Sequence, residues 1–189
     1  GKDNHTYATA EASAQTFQGQ SGGKVRVTVR VYIGLGSNLE EPIAQILEAV
    51  EELEMIPDTM LIGRSSLYRG KPMGPADQPD YVNAVAAMDT LLSAPDLMAA
   101  LTRIEDLQGR ERGGEKWGPR IIDLDLLLYG KAKIDTPDLT VPHPGIRERD
   151  FVIIPLAELA GDLNVPGQGR LTALINKCEN HSLKKLVTA

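Results

Sequence analysis

The sequence predicts an α+β fold in which helices pack on a mainly antiparallel sheet. Three observations carry that prediction. Apolar residues alternate at strand period through VRVTVRVYIGL, from Val25 to Leu35. Two helical stripes follow, one opening near Pro42 and one at Ser93. Strand-like runs stand between and after them, so the order reads strand, helix, strand, strand, helix, strand.

Each element has a local reason. In the first strand, Val25, Val27, Val29, Val31, Ile33 and Leu35 share one face. Ser37 or Asn38 suits the cap of the first helix, and Pro42 suits its first turn. Ile43, Ile46, Leu47, Val50 and Leu53 form its inward stripe, and Pro57 ends it. A second strand falls within 59–69 and a third near 80–91. Ser93-Ala94-Pro95-Asp96 opens the second helix, with Leu97, Leu101 and Ile104 inward and Gly109 as its stop. IIDLDLLLYG, residues 121–130, is the fourth strand. Beyond it lie Pro-punctuated loops and short helices near 147–160 and 170–177. This is the ferredoxin-like β-α-β-β-α-β arrangement, with extra C-terminal helices. Such a fold hosts many activities, so function has to be read from the site.

The length of 189 residues, 42% hydrophobic, suits one compact domain over 25–189. Residues 1–24 are polar, small and aperiodic, and read as a flexible tail, a linker or an expression remnant. A net charge of −6 argues against a broad nucleic-acid surface, which needs a basic face. One Trp, five Tyr and two Phe are too few for an RNA-stacking platform. The single cysteine, Cys178, cannot form an internal disulfide and fits a reducing compartment. No apolar run reaches the roughly 18 residues of a membrane span, and no secretory signal is visible. The expectation is a soluble cytoplasmic protein with no nucleic-acid or membrane partner.

Asp123 and Asp125 interrupt the apolar fourth strand. Strand geometry puts them on one face, about 6.6 Å apart. Two carboxylates at that distance repel by about 2–3 kcal/mol at an effective dielectric near 20. A divalent cation between them reverses that sign, and Mg²⁺ takes one or two carboxylates together with waters and phosphates. A solvated strand end, or pairing of each Asp with an arginine, accounts for the same motif.

The neighbouring GRERGGEKWGPR, residues 109–120, holds Arg110, Arg112, Lys116 and Arg120 against Glu111 and Glu115. Arginine forks match phosphate oxygens, and the interrupting glycines and Pro119 fit a loop that opens and closes. A solvated charge run reads the same way, and Trp117 within it fits either a core position or a stacking surface. Together the aspartates, arginines and ring point to a polyphosphate ligand. His5, His143 and His181 show no zinc-ligand spacing. No G-x-x-x-x-G-K-[ST] loop occurs, and GLGSN lacks the third glycine of a dinucleotide fingerprint.

At these residues the chain resembles a known family. GPRIIDLDLLLYG, preceded by IEDLQGRER and followed by LTVPHPGIRERDFVIIPLAEL, is similar to 6-hydroxymethyl-7,8-dihydropterin pyrophosphokinases of folate biosynthesis. YIGLGSNL at 32–39 and YRGKPMGPADQPDYVN at 68–83 share the resemblance, which covers about 31–160 in the family's own order. It implies a ferredoxin-like core and transfer of pyrophosphate from ATP to the pterin hydroxymethyl group, releasing AMP. By that resemblance Asp123 and Asp125 would bind two Mg²⁺ ions, with Asp123 also facing the pterin substrate. Arg110 and Arg120 would act on the phosphates, with Arg112 assisting. Glu105, Leu126, Thr140, His143 and Arg149 would line the nucleotide, as would Trp117. Tyr81, Asn83, Trp117 and Phe151 would hold the pterin, with backbone help around Pro72 and Met73.

The chemistry of those residues is compatible with these roles. Tyr81 and Asn83 share a strand face, and an Asn amide offers both donors and an acceptor to a pterin edge. Ordinary strand packing accounts for the pair equally well, and His143 between Pro142 and Pro144 also reads as a turn residue. Gly70-Lys71 departs from the Thr followed by Pro or Glu of many relatives and puts a cation at the expected pterin entrance. Thr102 and Asp138 stand where some relatives place nucleotide-contacting Gln and Arg, so those contacts are not carried over. The family is sometimes fused to other folate-pathway enzymes, and residues 1–24 fit a linker in such a fusion. Two other readings share parts of the pattern: a metal-dependent nucleotide-sugar transferase, whose acceptor is a sugar, and a ferredoxin-like ligand-binding module that forms no AMP.

Overall fold

The computed structural model describes residues 26–109, 121–178 and 182–186. The first seven elements are β1 (Val29–Ser37), α1 (Pro42–Glu54), β2 (Thr59–Arg64), β3 (Tyr68–Gly70), β4 (Tyr81–Thr90), α2 (Ala94–Leu107) and β5 (Asp123–Tyr129). They are followed by β6 (Ile134–Asp135), β7 (Thr140–Val141), α3 (Asp150–Ala160), β8 (Asn164–Val165), β9 (Gly169–Arg170), α4 (Leu171–Lys177) and β10 (Lys184–Lys185). Among the described residues no helix is long and apolar enough to cross a membrane.

The main sheet has six strands in the order β10-β3-β4-β1-β5, with β2 also on β4. Every pairing within it is antiparallel. Counting β2 and β3 as one bent edge strand, the order is that of the ferredoxin-like fold read from the sequence. The expected second strand within 59–69 is thus split. Ser65 breaks it: its N–H donates to the Val85 carbonyl at 2.8 Å while its hydroxyl accepts from the Val85 N–H at 2.9 Å. A side chain has replaced one rung of the ladder, and the strand resumes at Tyr68.

The first helix starts later than its sequence reads. Ser37 is fully buried at the end of β1 and donates to the Ile121 carbonyl. The Asn38 amide donates to Gln78 Oε1 at 3.0 Å and the Pro79 carbonyl at 3.1 Å. Both side chains are spent on joining β1 to the segments entering β5 and β4. The cap falls to Glu41, in the left-handed region at φ 62°, without a side-chain cap. Leu47, expected inward, is 39% exposed, and the small Ala49 is fully buried instead. The helix therefore turns its Ile46–Ala49–Leu53 line to the sheet. Val27 is exposed as well, because β1 has no pairing partner before Val29. At α2 the expected cap is present: Ser93 Oγ accepts from the Asp96 N–H at 3.2 Å.

α1 and α2 cover one face of the sheet, where Val31, Ile33 and Leu35 meet Ile46, Leu53, Leu97 and Leu101. α3 and α4 cover part of the other face, against Tyr32, Val85, Leu127 and Leu128. A register shift between Tyr32 and Ile33 lets both Leu127 and Leu128 join that second cluster. Glu158 of α3 ties this layer to the sheet edge. It accepts from the Ser66 hydroxyl at 2.6 Å and the Tyr68 hydroxyl at 2.7 Å, and Lys185 of β10 lies 3.4 Å away.

Candidate active site

The part of the second face that α3 and α4 leave open is a cavity of about 290 Å³. Its floor follows from register. On β1, Gly36 pairs with Asn83 of β4 on one side and Asp123 of β5 on the other. Two residues earlier, Gly34 pairs with Val85 and Asp125. Directly opposed residues point to the same face, so both aspartates and the asparagine rise beside a central strand with no side chains there. A Cβ at Gly36 would stand 3.0 Å from Asn83 Oδ1. The two glycines thus make a flat-bottomed trough between an amide and a carboxylate pair.

Each wall has its own source. Tyr81 and Asn83 come from β4, Lys71 and Met73 from the segment after β3, and Phe151 and Val152 from the start of α3. Asn83 is 5% exposed, and among the described residues its amide has no hydrogen-bond partner. An amide in that position costs stability unless a ligand or water completes it.

His143 and Arg149 close the aspartate end. The His143 N–H donates to the Leu127 carbonyl at 2.9 Å, which fixes the backbone beside β5. Its Nδ1 accepts from the Gly145 N–H at 3.0 Å, and its Nε2 lies 3.9 Å from Asp125 Oδ1. Burial, and next the Arg149 charge, push the imidazole pKa below its ordinary value, with Asp123 opposing them. The ring is therefore neutral at pH 7, and an accepting Nδ1 leaves the proton on Nε2, toward Asp125. Arg149 lies over Gly145, where a Cβ would come within 2.7 Å of the guanidinium carbon, and 6.0 Å from the Phe151 ring centre. Gly145 is what lets the guanidinium lie there.

Of the residues singled out in the sequence, the cavity gathers Asp123, Asp125, Tyr81, Asn83, Phe151, Met73, His143 and Arg149. Pro72, Glu105, Leu126 and Thr140 are not in its wall. Glu105 is buried on α2 and accepts from the Leu124 N–H at 2.8 Å, completing a donor of the end strand β5. Leu126 is in the core beneath α1 and α2, and Thr140 is exposed on β7. Arg110, Arg112, Lys116, Trp117 and Arg120 lie outside the described residues. Sequence reasoning missed the trough glycines. The signal was present, since Gly34 and Gly36 sit two apart within a strand, where glycine marks close approach.

Among the described residues no group of three or more His, Cys, Asp or Glu is placed to hold a metal. The protein donors at this cavity are two carboxylates. That set fits a hard cation completed by water and phosphate oxygens, and does not fit zinc.

A family model described as 7,8-dihydro-6-hydroxymethylpterin-pyrophosphokinase matches residues 32–161. The 2-amino-4-hydroxy-6-hydroxymethyldihydropteridine pyrophosphokinase of Pseudomonas aeruginosa is 48% identical over 157 residues, covering 83% of this chain and 96% of that protein. The enzyme of the same name from Haemophilus influenzae is 46% identical over 158 residues, 84% of this chain and 98% of that one. Among solved structures, Plasmodium falciparum HPPK-DHPS with pteroate superposes with a TM-score of 0.63 at 14% identity, covering 79% of this chain and 42% of the longer one. At that identity the last likeness shows the fold alone.

Proposed function

The chain belongs to the 7,8-dihydro-6-hydroxymethylpterin-pyrophosphokinase family, and from that premise we propose that its cavity transfers the β,γ-pyrophosphoryl group of ATP to 6-hydroxymethyl-7,8-dihydropterin. The products are AMP and the pterin diphosphate ester, in folate biosynthesis. The observation that carries the proposal is the row Asn83–Gly36–Asp123: an amide with no partner among the described residues, a bare floor and a carboxylate, in register across three strands.

In this reading the heterocycle lies flat over the glycines. The Asn83 amide offers its donors and acceptor to the ring's amide-like edge, and Tyr81 and Phe151 supply the apolar walls. Asp123 and Asp125 would hold Mg²⁺, two ions by the family resemblance. Magnesium bound there would supply charge neutralisation and geometry for the triphosphate. Arg149 and His143 stand at the same end and offer donors to phosphate oxygens. Arg110, Arg112 and Arg120 would add further donors, and Trp117 would cover the pterin ring.

A bond forms between the hydroxymethyl oxygen and the β-phosphorus. The bond from that phosphorus to the α,β-bridging oxygen breaks, AMP leaves with the electron pair, and the hydroxyl proton passes to solvent. What the chain contributes is alignment: the trough holds the acceptor hydroxyl in line with the triphosphate and excludes competing water. The test is incubation of the protein with ATP, Mg²⁺ and 6-hydroxymethyl-7,8-dihydropterin, with AMP measured. AMP should form only when the pterin is present and should stop on chelation. Folded protein that gives no pterin-dependent AMP overturns the proposal.

A further inference from the structure

Lys71 follows directly on β3 and lines the cavity beside Met73. It is exposed, and among the described residues its ammonium has no hydrogen-bond or ion-pair partner. The order β3-β4-β1-β5 puts it on the wall opposite the aspartates. Three strand spacings separate β3 from β5, about 14 Å. A ring lying across Gly34 and Gly36 with its reacting substituent at Asp123 and Asp125 therefore extends its far end toward Lys71.

We infer that Lys71 is a specificity-determining residue for the heterocycle, donating a charge-assisted hydrogen bond to the carbonyl of the ring remote from the hydroxymethyl group. The inference rests on the proposed function and deepens it. That remote pyrimidine ring carries one amino group and one carbonyl. An ammonium has three donors and no acceptor, so it meets the carbonyl and disfavours a ring with a second amino group in the carbonyl's place. Asn83 cannot make that distinction, because its amide turns over to present either its oxygen or its nitrogen. The two residues divide the work: Asn83 recognises an amide-like edge, and Lys71 decides which polar group stands at the far end. Among the described residues the other cation lining the cavity is Arg149, which belongs to the α3 side and the phosphate end.

The experiment compares the full chain with Lys71→Met and Lys71→Arg. Pterin-dependent AMP release gives kcat and the KM for each substrate. Fluorescence titration gives the affinity for the 4-oxo pterin and for its 4-amino counterpart. Because Lys71 is exposed, the contact is worth less than a buried charged hydrogen bond, and the expected change is about fivefold to tenfold. Lys71→Met should raise the pterin KM by that factor and leave kcat and the ATP KM within twofold. It should shrink the preference for the oxo ring by the same factor, and Lys71→Arg should restore most of it. A pterin KM and an oxo-to-amino preference within twofold of wild type overturn the inference while the proposed function stands. Equal weakening of both rings also overturns it, since that is the signature of lost packing. A wild-type protein without pterin-dependent AMP release overturns the proposed function, and this inference with it.

Discussion

Replacing Gly36 with alanine tests the trough directly. Gly36 is an ordinary extended residue of β1, so alanine meets no backbone barrier. Its methyl would stand 3.0 Å from Asn83 Oδ1 and 3.8 Å from Tyr81 Cδ1. The second contact is normal and the first is tight, so the Asn83 amide must move by a few tenths of an ångström. Two stability terms then oppose each other. Gly→Ala at a permissive position stabilises by about 0.4–1 kcal/mol through the unfolded chain, and shifting a buried amide costs a similar amount. The net change should stay within about 1 kcal/mol, or about 2–4 °C in Tm for a chain of this size. Binding has no such cancellation. Misplacing one amide against the ligand edge costs about 1–3 kcal/mol, roughly fivefold to 150-fold in pterin Kd. The assay pairs thermal unfolding with equilibrium titration of the pterin in the presence of a non-hydrolysable ATP analogue. Asn83→Ala calibrates it. If the methyl acts through the amide, Gly36→Ala/Asn83→Ala should bind no more weakly than Asn83→Ala alone, within about 0.5 kcal/mol. A folded Gly36→Ala protein with pterin affinity within twofold of wild type refutes the reasoning, and so does full additivity in the double variant.

Asp123→Asn and Asp125→Asn should each lose nearly all turnover while thermal stability without metal holds or rises slightly, because one of two close negative charges is gone; unfolding of both variants would instead mark structural aspartates. Arg120→Ala should lower kcat by about two to three orders of magnitude, the usual cost of losing one transition-state donor, with far less effect on ATP affinity and only partial rescue by lysine. A kcat within a few-fold of the parent, accompanied by lost stability, assigns Arg120 to the strand rather than to the phosphates. Burial pushes the Glu158 carboxyl pKa up, but hydrogen bonds from Ser66 and Tyr68 and the charge of Lys185 outweigh it and hold the group below the usual carboxylate range. Glu158→Gln should therefore cost about 1–2 kcal/mol at pH 7. That stability is present above the unfolded-state pKa near 4.3 and is lost as pH falls through the lower folded value. Denaturant titrations of both proteins should converge only once the pH falls below that lowered folded value, and a gap that persists in acid beyond it rules out the ionised carboxylate as its cause.

Local pattern decided more of this molecule than its site. Alternation in β1 from Val29 onward, the stripe of α2 and the Ser93 cap depend on residues within a turn or a strand of one another, and they stand in the structure as the sequence reads. The same-face placement of Asp123 and Asp125 is a consequence of strand pleat alone, so it too was legible. The order of elements was enough to specify the ferredoxin-like sheet, because a β-α-β-β-α-β chain with short connections has few ways to close.

What local pattern could not carry is anything set by cross-strand register or by competition for a side chain. Gly34 and Gly36 read only as part of an incomplete dinucleotide fingerprint until β4 and β5 are laid on either side of them, when their missing side chains become the floor between Asn83 and the aspartates. Ser37 and Asn38 have the right chemistry for a helix cap, yet tertiary partners at Ile121, Gln78 and Pro79 claimed them first. Glu105 has a carboxylate suited to a ligand, and the packing of α2 against the end strand turned it to the Leu124 N–H. By resemblance the sequence put Lys71 at the expected pterin entrance, without saying which wall it stands on. Its place across the trough from the carboxylates follows from strand order, a property of the whole sheet that no window of the chain contains.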